Sequence, residues 1–176
     1  MAEISPIYTE LRDVLIATTA ESGSMEPSDE FPHVYGVVVD IGFALAFTVA
    51  VYSDGRVIVC DGNGGGFNDL GLAADAMVFG QLILRAVEQN LELFVPVEET
   101  PLPAFGRVRF SVLTYDGKRG ADLEGPPLLK GQSPLSHAFT AVIAIMDRAR
   151  HMVAQPAKTD GEIANAGEVD EARPVN

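Results

Sequence analysis

The stretch VYGVVVDIGFALAFTVAVYSDGRVIVC (residues 34–60) decides the fold. Two runs rich in β-branched residues, Val34–Ile41 and Ala46–Tyr52, have the composition of strands. The turn sequence SDGR (residues 53–56) follows, with its glycine where φ can be positive, and Arg56–Cys60 then returns as a third strand. The stretch therefore predicts a meander of two or three antiparallel strands.

Helical patterns lie on both sides of this meander. Ser5 is placed to cap a helix predicted over Pro6–Ala20, and a loop-like segment, Glu21–Pro32, separates it from the first strand. A second helix is predicted over Leu70–Asn90. Ser133-Pro134 opens a last helix, whose apolar positions recur every three or four residues: Leu135, Phe139, Val142, Met146, Ala149 and Val153. With Ala138 and Ile145 widening the stripe, this spacing predicts a helix that lies on a sheet.

The order of elements defines the fold class. Leu91–Val97 is predicted to be a strand, and Arg107–Tyr115 alternates as a strand with Arg119–Leu123 as its partner. The order α-β-β(-β)-α-β-β(-β)-α contains no βαβ crossover, which predicts an α+β domain with about five antiparallel strands and helices packed on them. Roadblock, longin and profilin-like domains have this order of elements, and they are mostly interaction modules.

Length and composition predict one folded domain with a tail. The chain has 176 residues, of which 47% are hydrophobic, enough for one domain of ordinary size. We assign a single α+β domain to residues 1–154. Residues 155–176 are acidic and poor in large apolar groups, so we expect a disordered tail.

The net charge of −13 limits the kinds of molecule that this protein can bind. It disfavours nucleic acid and anionic membranes, and it is compatible with a protein partner or with plain solubility. Residues 1–99 carry 16 acidic and 3 basic side chains, whereas residues 100–154 carry 4 acidic and 7 basic ones. This uneven distribution predicts a protein partner, and a second copy of the chain would fit.

The N-terminus lacks the pattern of a signal peptide, and no apolar run is long enough to span a bilayer, so we expect a cytoplasmic protein. The single cysteine, Cys60, excludes an intrachain disulfide and is expected to be a small buried hydrophobe. The three histidines, His33, His137 and His151, show no spacing that would gather them on one metal ion. The sequence therefore predicts neither a metal nor a cofactor.

A glycine-rich loop follows the third strand and is a candidate ligand site. Glycines allow backbone N–H groups to approach an anion, but the Gly-Lys-Ser/Thr ending of a nucleotide-binding phosphate loop is missing here. The other interpretation is a flexible connector in which Asn68 or Asp69 caps the next helix. The candidate ligand-binding residues are Gly62, Asn63, Gly64, Gly65, Gly66 and Asp40.

The second helix supplies a candidate interface. Small residues on one of its faces would allow close approach, either to the helix's own sheet or to a second copy of the chain. Arginines on the predicted strand from Arg107 would add a basic face for an acidic partner. The candidate interface residues are Ala73, Ala76, Gly80, Ile83, Val87, Arg107 and Arg109.

An ordered set of short motifs carries a resemblance to a known family. The motifs are Tyr35-Gly36-Val37-Val38, Ser53-Asp54-Gly55, Gly64-Gly65-Gly66, Pro101-Leu102-Pro103, Gly106-Arg107-Val108-Arg109-Phe110, Leu113-Thr114, Asp116-Gly117 and Ser133-Pro134-Leu135-Ser136. Over about residues 34–150 the chain resembles an uncharacterised family of small bacterial proteins. The resemblance implies a compact domain and assigns no chemistry, because this family has no known activity.

These patterns together predict a non-enzymatic protein interaction or scaffold domain that self-associates as a homodimer. Two alternatives stay open. One is a small-ligand or nucleotide-binding protein, or an enzyme, that uses the glycine loop at residues 62–66. The other is an acidic inhibitor of a basic partner, such as an immunity protein that blocks a toxin.

Overall fold

The meander predicted from residues 34–60 lies at the centre of the molecule. The computed structural model describes residues 4–67, 70 and 74–154. Strand β1 (Val34–Gly42) pairs antiparallel with β2 (Ala46–Tyr52), and β2 pairs antiparallel with β3 (Val57–Asp61). Gly55, in the turn between β2 and β3, has a φ of +91°, a backbone angle that residues other than glycine rarely adopt. The predicted meander and its turn are confirmed.

The sheet continues on the other side of β1. Two-residue strands, β4 (Gly66–Phe67) and β5 (Val95–Pro96), form its edges, and β6 (Arg107–Thr114) and β7 (Gly117–Glu124) are its other long strands. The seven strands have the spatial order β4-β3-β2-β1-β6-β7-β5, and every pairing between neighbours is antiparallel. Because β1 is the middle strand, the meander joins both halves of the sheet.

Helices cover both faces of the sheet, and for this reason all nine residues of β1 are buried. Helix α1 (Pro6–Ala17) packs on one face, over a core that includes Val38. Helices α2 (Ala74–Glu88) and α4 (Ser136–Ala154) pack side by side on the other face, and the short helix α3 (Gly125–Leu129) precedes α4. We call these the α1 face and the α2/α4 face.

The last helix lies on the sheet as its apolar spacing predicts. The predicted stripe residues that are described there are all buried: Leu135, Phe139, Val142, Met146 and Ala149. Ala138 and Ile145, which widen the stripe, are buried as well. Full burial of a large apolar side chain stabilises the fold by roughly 1.5–3 kcal/mol, so this stripe fixes α4 to the sheet.

The predicted α+β class, an antiparallel sheet with helices packed on it, is confirmed. Two predicted elements are corrected. Helix α1 ends at Ala17 instead of Ala20, because Thr18 adopts an extended backbone conformation. The strand predicted over Leu91–Val97 is instead a 3-10 turn at Leu91–Leu93 followed by the two residues of β5, after which the Val97 amide still donates to the Lys118 carbonyl of β7.

Among the described residues, no helix combines the length and the apolar character needed to cross a membrane. The tail predicted at residues 155–176, and the capping residues Asn68 and Asp69, lie outside the described residues.

Candidate functional site

The glycine loop forms a tight turn between β3 and β4 whose backbone donors are already used. The amides of Asn63 and Gly65 both donate to Oδ1 of Asp61, at 2.9 and 3.4 Å. The amide of Gly64 donates to the Asp61 carbonyl, and that of Gly62 donates to the Ala46 carbonyl. A carboxylate thus occupies the position that a bound anion would take. The structure therefore does not support the phosphate-cradle interpretation of Gly62, Asn63, Gly64 and Gly65, and it places Gly66 in β4 opposite Cys60.

The other candidate ligand residue, Asp40, lies on the α1 face, whereas Asp61 lies on the α2/α4 face. The Arg12 guanidinium binds both oxygens of Asp40, with Nε at 3.0 Å from Oδ1 and Nη2 at 2.7 Å from Oδ2. Thr48 donates a further hydrogen bond to Oδ1, and Tyr8 shares a hydrogen bond with Thr48. Asp40 is fully buried in this network, so it holds α1 to the sheet and does not join the glycine loop.

The nucleophilic and metal-ligating side chains do not assemble a catalytic centre in the described part of the chain. Burial raises the pKa of Cys60 to about 11, so its thiol is protonated at neutral pH. Nδ1 of His33 lies 2.6 Å from Glu88, and Nδ1 of His151 lies 2.6 Å from the Asp147 carbonyl. Across the described residues, no group of three His, Cys, Asp or Glu side chains could hold a metal ion.

The candidate interface face of α2 points into the molecule. Ala76, Gly80, Ile83 and Val87 are all buried against the sheet. A Cβ added at Gly80 would come within 3.2 Å of Val57, so Gly80→Arg would disrupt the core instead of testing an interface. Of the two interpretations, packing on the helix's own sheet is therefore correct for these four residues. Ala73 lies outside the described residues.

The two candidate interface arginines are occupied within the chain. Arg107 and Arg109 both lie on β6 and both donate to the carboxylate of Asp122 on β7, at 2.6 and 2.8 Å. The side chain of Arg109 is only 17% exposed. These arginines therefore clamp two neighbouring strands, and they do not form the free basic face that the sequence predicts.

The opposite face of α2 exposes apolar side chains to solvent. Val78 is 58% exposed and Leu82 is 46% exposed, and Met77 lies beside them at 43%. On the same side of the helix, Asp75 lies about one turn before Val78, and Arg85 lies about one turn after Leu82. The residues 75, 78, 82 and 85 are spaced by three, four and three positions, which places them in one line along a helix. We call these four residues the outer stripe.

Comparisons with family models, curated proteins and solved structures give no match to this chain. The resemblance to a family of small bacterial proteins therefore stays a prediction. A function has to be inferred from the exposed residues of the outer stripe and of the other surfaces.

Other surfaces of the described chain also expose apolar side chains, and two of them are extended enough to compare with the outer stripe. Helix α1 exposes Ile7 and Val14, one on each side of a half-buried Leu11. A groove of about 420 Å³ lies between α4 and the β1–β2 turn, with Phe43, Phe47, Met146, Asp147 and Arg150 among its lining residues. The outer stripe differs from both because its apolar centre lies between charges of opposite sign at its two ends. The sequence predicts the apolar character of this helix, but the interface residues that it indicates on α2 lie on the buried face.

Proposed function

We propose that this chain is a non-enzymatic protein interaction domain that self-associates through the outer stripe of α2. The observation that carries the proposal is the exposure of Val78 and Leu82 at the centre of a helix whose opposite face is already buried. Residues four positions apart are neighbours on a helix surface, so the two side chains form one apolar patch. A second copy would remove the same patch from water on both partners.

The dimensions of the helix are suited to such a contact. Helix α2 has 15 residues, which gives it a length of about 22 Å at 1.5 Å per residue. Each exposed apolar square ångström that the pairing buries contributes roughly 25 cal/mol. In a two-fold symmetric dimer each copy contributes the same patch. Val78 and Leu82 of the two copies together therefore give four buried side chains.

The rest of the site geometry favours an interaction role over catalysis. Cys60 is buried with a raised pKa, and Asp40 and Asp61 lie on opposite faces of the sheet. The glycine loop has its amides bonded within the chain. These observations support the non-enzymatic prediction, because a nucleophile or general base has to be accessible and close to its partner groups.

The proposal is tested with two valine variants that are matched in chemistry and exposure. Val78→Glu places a charge at the centre of the outer stripe, and Val14→Glu places the same charge on α1, where the valine is 66% exposed. Light scattering coupled to gel filtration should show a dimer for the wild type and for Val14→Glu. It should show a monomer for Val78→Glu, with unchanged circular dichroism.

Two results would contradict the proposal. A wild-type chain that stays monomeric up to high micromolar concentration would exclude self-association. A dimer that survives Val78→Glu but is lost in Val14→Glu would assign the interface to α1 instead.

A further inference from the structure

The outer stripe has an internal symmetry of charge and apolar character. The midpoint of the outer stripe in sequence is position 80, although Gly80 itself is buried on the other side of the helix. Val78 and Leu82 are each two residues from this position, and Asp75 and Arg85 are each five residues from it. A rotation by 180° about an axis through this point therefore exchanges an apolar residue with an apolar one and an acid with a base.

This symmetry distinguishes between the two ways of pairing α2 with a second copy. Parallel pairing would place Asp75 opposite Asp75 and Arg85 opposite Arg85, and like charges at short range repel. Antiparallel pairing about a two-fold axis would place Asp75 opposite Arg85 at both ends, with Val78 opposite Leu82 between them. Charge complementarity therefore selects the antiparallel arrangement.

The ion pairs within one chain extend the same pattern. Asp75 already pairs with Arg148 of α4 at 3.3 Å, and Arg85 already pairs with Glu30. Each of these four side chains is about half exposed, so their charges remain accessible at the surface. Antiparallel pairing would bring the two ion pairs together at each end of the contact. Glu30 and Arg85 of one copy would then continue into Asp75 and Arg148 of the other, in a row of alternating charge.

We infer that two copies of this chain pair their α2 helices antiparallel. The two-fold axis crosses the contact at the level of position 80 along the helix, and Asp75 of each copy faces Arg85 of the other. The inference rests on the proposed function and adds the register of the contact. The occupant of the outer stripe is a second copy, because its four residues, Asp75, Val78, Leu82 and Arg85, are complementary to themselves in this arrangement.

The experiment uses charge reversal followed by mixing. Asp75→Arg alone places two arginines opposite each other at both ends, and Arg85→Asp alone places two aspartates there. Each variant alone should dimerise at least about tenfold more weakly than the wild type in sedimentation equilibrium. An equimolar mixture of the two should form heterodimers with nearly wild-type affinity, since both ends then pair an acid with a base.

The mixing step separates contacts between copies from contacts within one copy. Loss of the pairs with Arg148 and Glu30 would persist in the mixture, whereas a lost contact between copies is restored there. Arg150→Gln serves as a control that removes an ion pair within one chain, that with Asp147 on α4, outside this row, and it should dimerise like the wild type.

Restored affinity in the mixture places positions 75 and 85 at the contact, and disulfide cross-linking then reads the register, since the one native cysteine is buried. Asp75→Cys mixed with Arg85→Cys should form a cross-linked heterodimer, and neither variant alone should form a cross-linked homodimer.

The failures are distinguishable. If Val78→Glu abolishes the dimer but each cysteine variant cross-links only with itself, the antiparallel register is wrong and self-association stands. If the wild type is monomeric under all these conditions, the proposed function fails together with the register.

Discussion

Arg12 and Asp40 show how one ion pair attaches a helix to a sheet. Arg12 is 5% exposed and Asp40 is fully buried, so both charges have lost most of their hydration. Two hydrogen bonds join them, Thr48 donates to the carboxylate, and Arg12 also donates to the Thr100 carbonyl. These partners compensate for the lost water, and removal of either member leaves the other charge buried without compensation.

We therefore expect Arg12→Met to lower the free energy of unfolding by about 3–5 kcal/mol, because it leaves the Asp40 carboxylate buried without its cation. Urea denaturation monitored by circular dichroism measures this loss. The double variant Arg12→Met, Asp40→Leu removes both charges and should recover part of the stability. A single variant as stable as the wild type would show that the pair does not hold α1 to the sheet.

At the scale of elements, β6 and β7 are joined by side chains as well as by their backbone ladder. Arg109 and Asp122 are direct partners in the register, and Arg107 reaches the same carboxylate. Burial by itself raises the pKa of Asp122, but the hydrogen bonds and positive charges of the two arginines outweigh it and lower the pKa below its ordinary value. The strand pair is thereby stabilised by an ionised acid.

This lowered pKa predicts a sensitivity to acid. A carboxylate whose pKa is lower in the folded state contributes its full stability above its unfolded pKa of about 4, and it loses that contribution as the pH falls below this value. The wild type should therefore lose more stability between pH 7 and pH 3 than Asp122→Asn does. Unfolding midpoints across this range measure the difference, with Asp116→Asn, in the turn between the same strands, as the control. Equal pH profiles for all three proteins would contradict the role of the clamp.

Some elements could be predicted from the sequence because local physics decides them. The β-branched runs and the turn glycine within residues 34–60 predict the strands and the turn of the meander, and the apolar spacing of α4 predicts its buried face. The strand over Leu91–Val97 could not be excluded, because its true conformation depends on the burial of Phe94 and on the pairing of Val95 and Pro96 with β7. Local composition contains no information about either contact.

The candidate site shows the same division. The sequence indicates that α2 is apolar around more than half of its circumference, which a helix buried on one side does not need. The small-residue face with Gly80 allows close approach, but the sequence does not decide between the helix's own sheet and a second copy as its partner. Burial of Gly80 against Val57 and Val51 decides the orientation, and the interface prediction moves to the outer stripe.

The whole molecule combines a rigid core with a charge distribution that is uneven along the chain. Residues 1–99 hold 16 of the acidic and only 3 of the basic side chains, while residues 100–154 are slightly basic. Within the described residues, one ion pair connects these two parts of the chain, that of Asp75 with Arg148. This pair leaves the net charge of −13 unchanged, so two copies that meet have to overcome a mutual repulsion. The outer stripe is where acid and base alternate at the surface.

Self-association also makes the stability of the whole molecule depend on its concentration, because a partner that binds only the folded state raises the free energy of unfolding. For a chain of this size we expect the Tm to rise by about 1–3 °C for each tenfold increase in concentration above the Kd of the dimer. Differential scanning calorimetry from 5 to 500 μM, roughly two decades, measures this slope. Val14→Glu should keep the slope, and Val78→Glu should lose it while folding normally. A wild-type Tm that is independent of concentration would mean that the outer stripe does not stabilise the fold through a second copy.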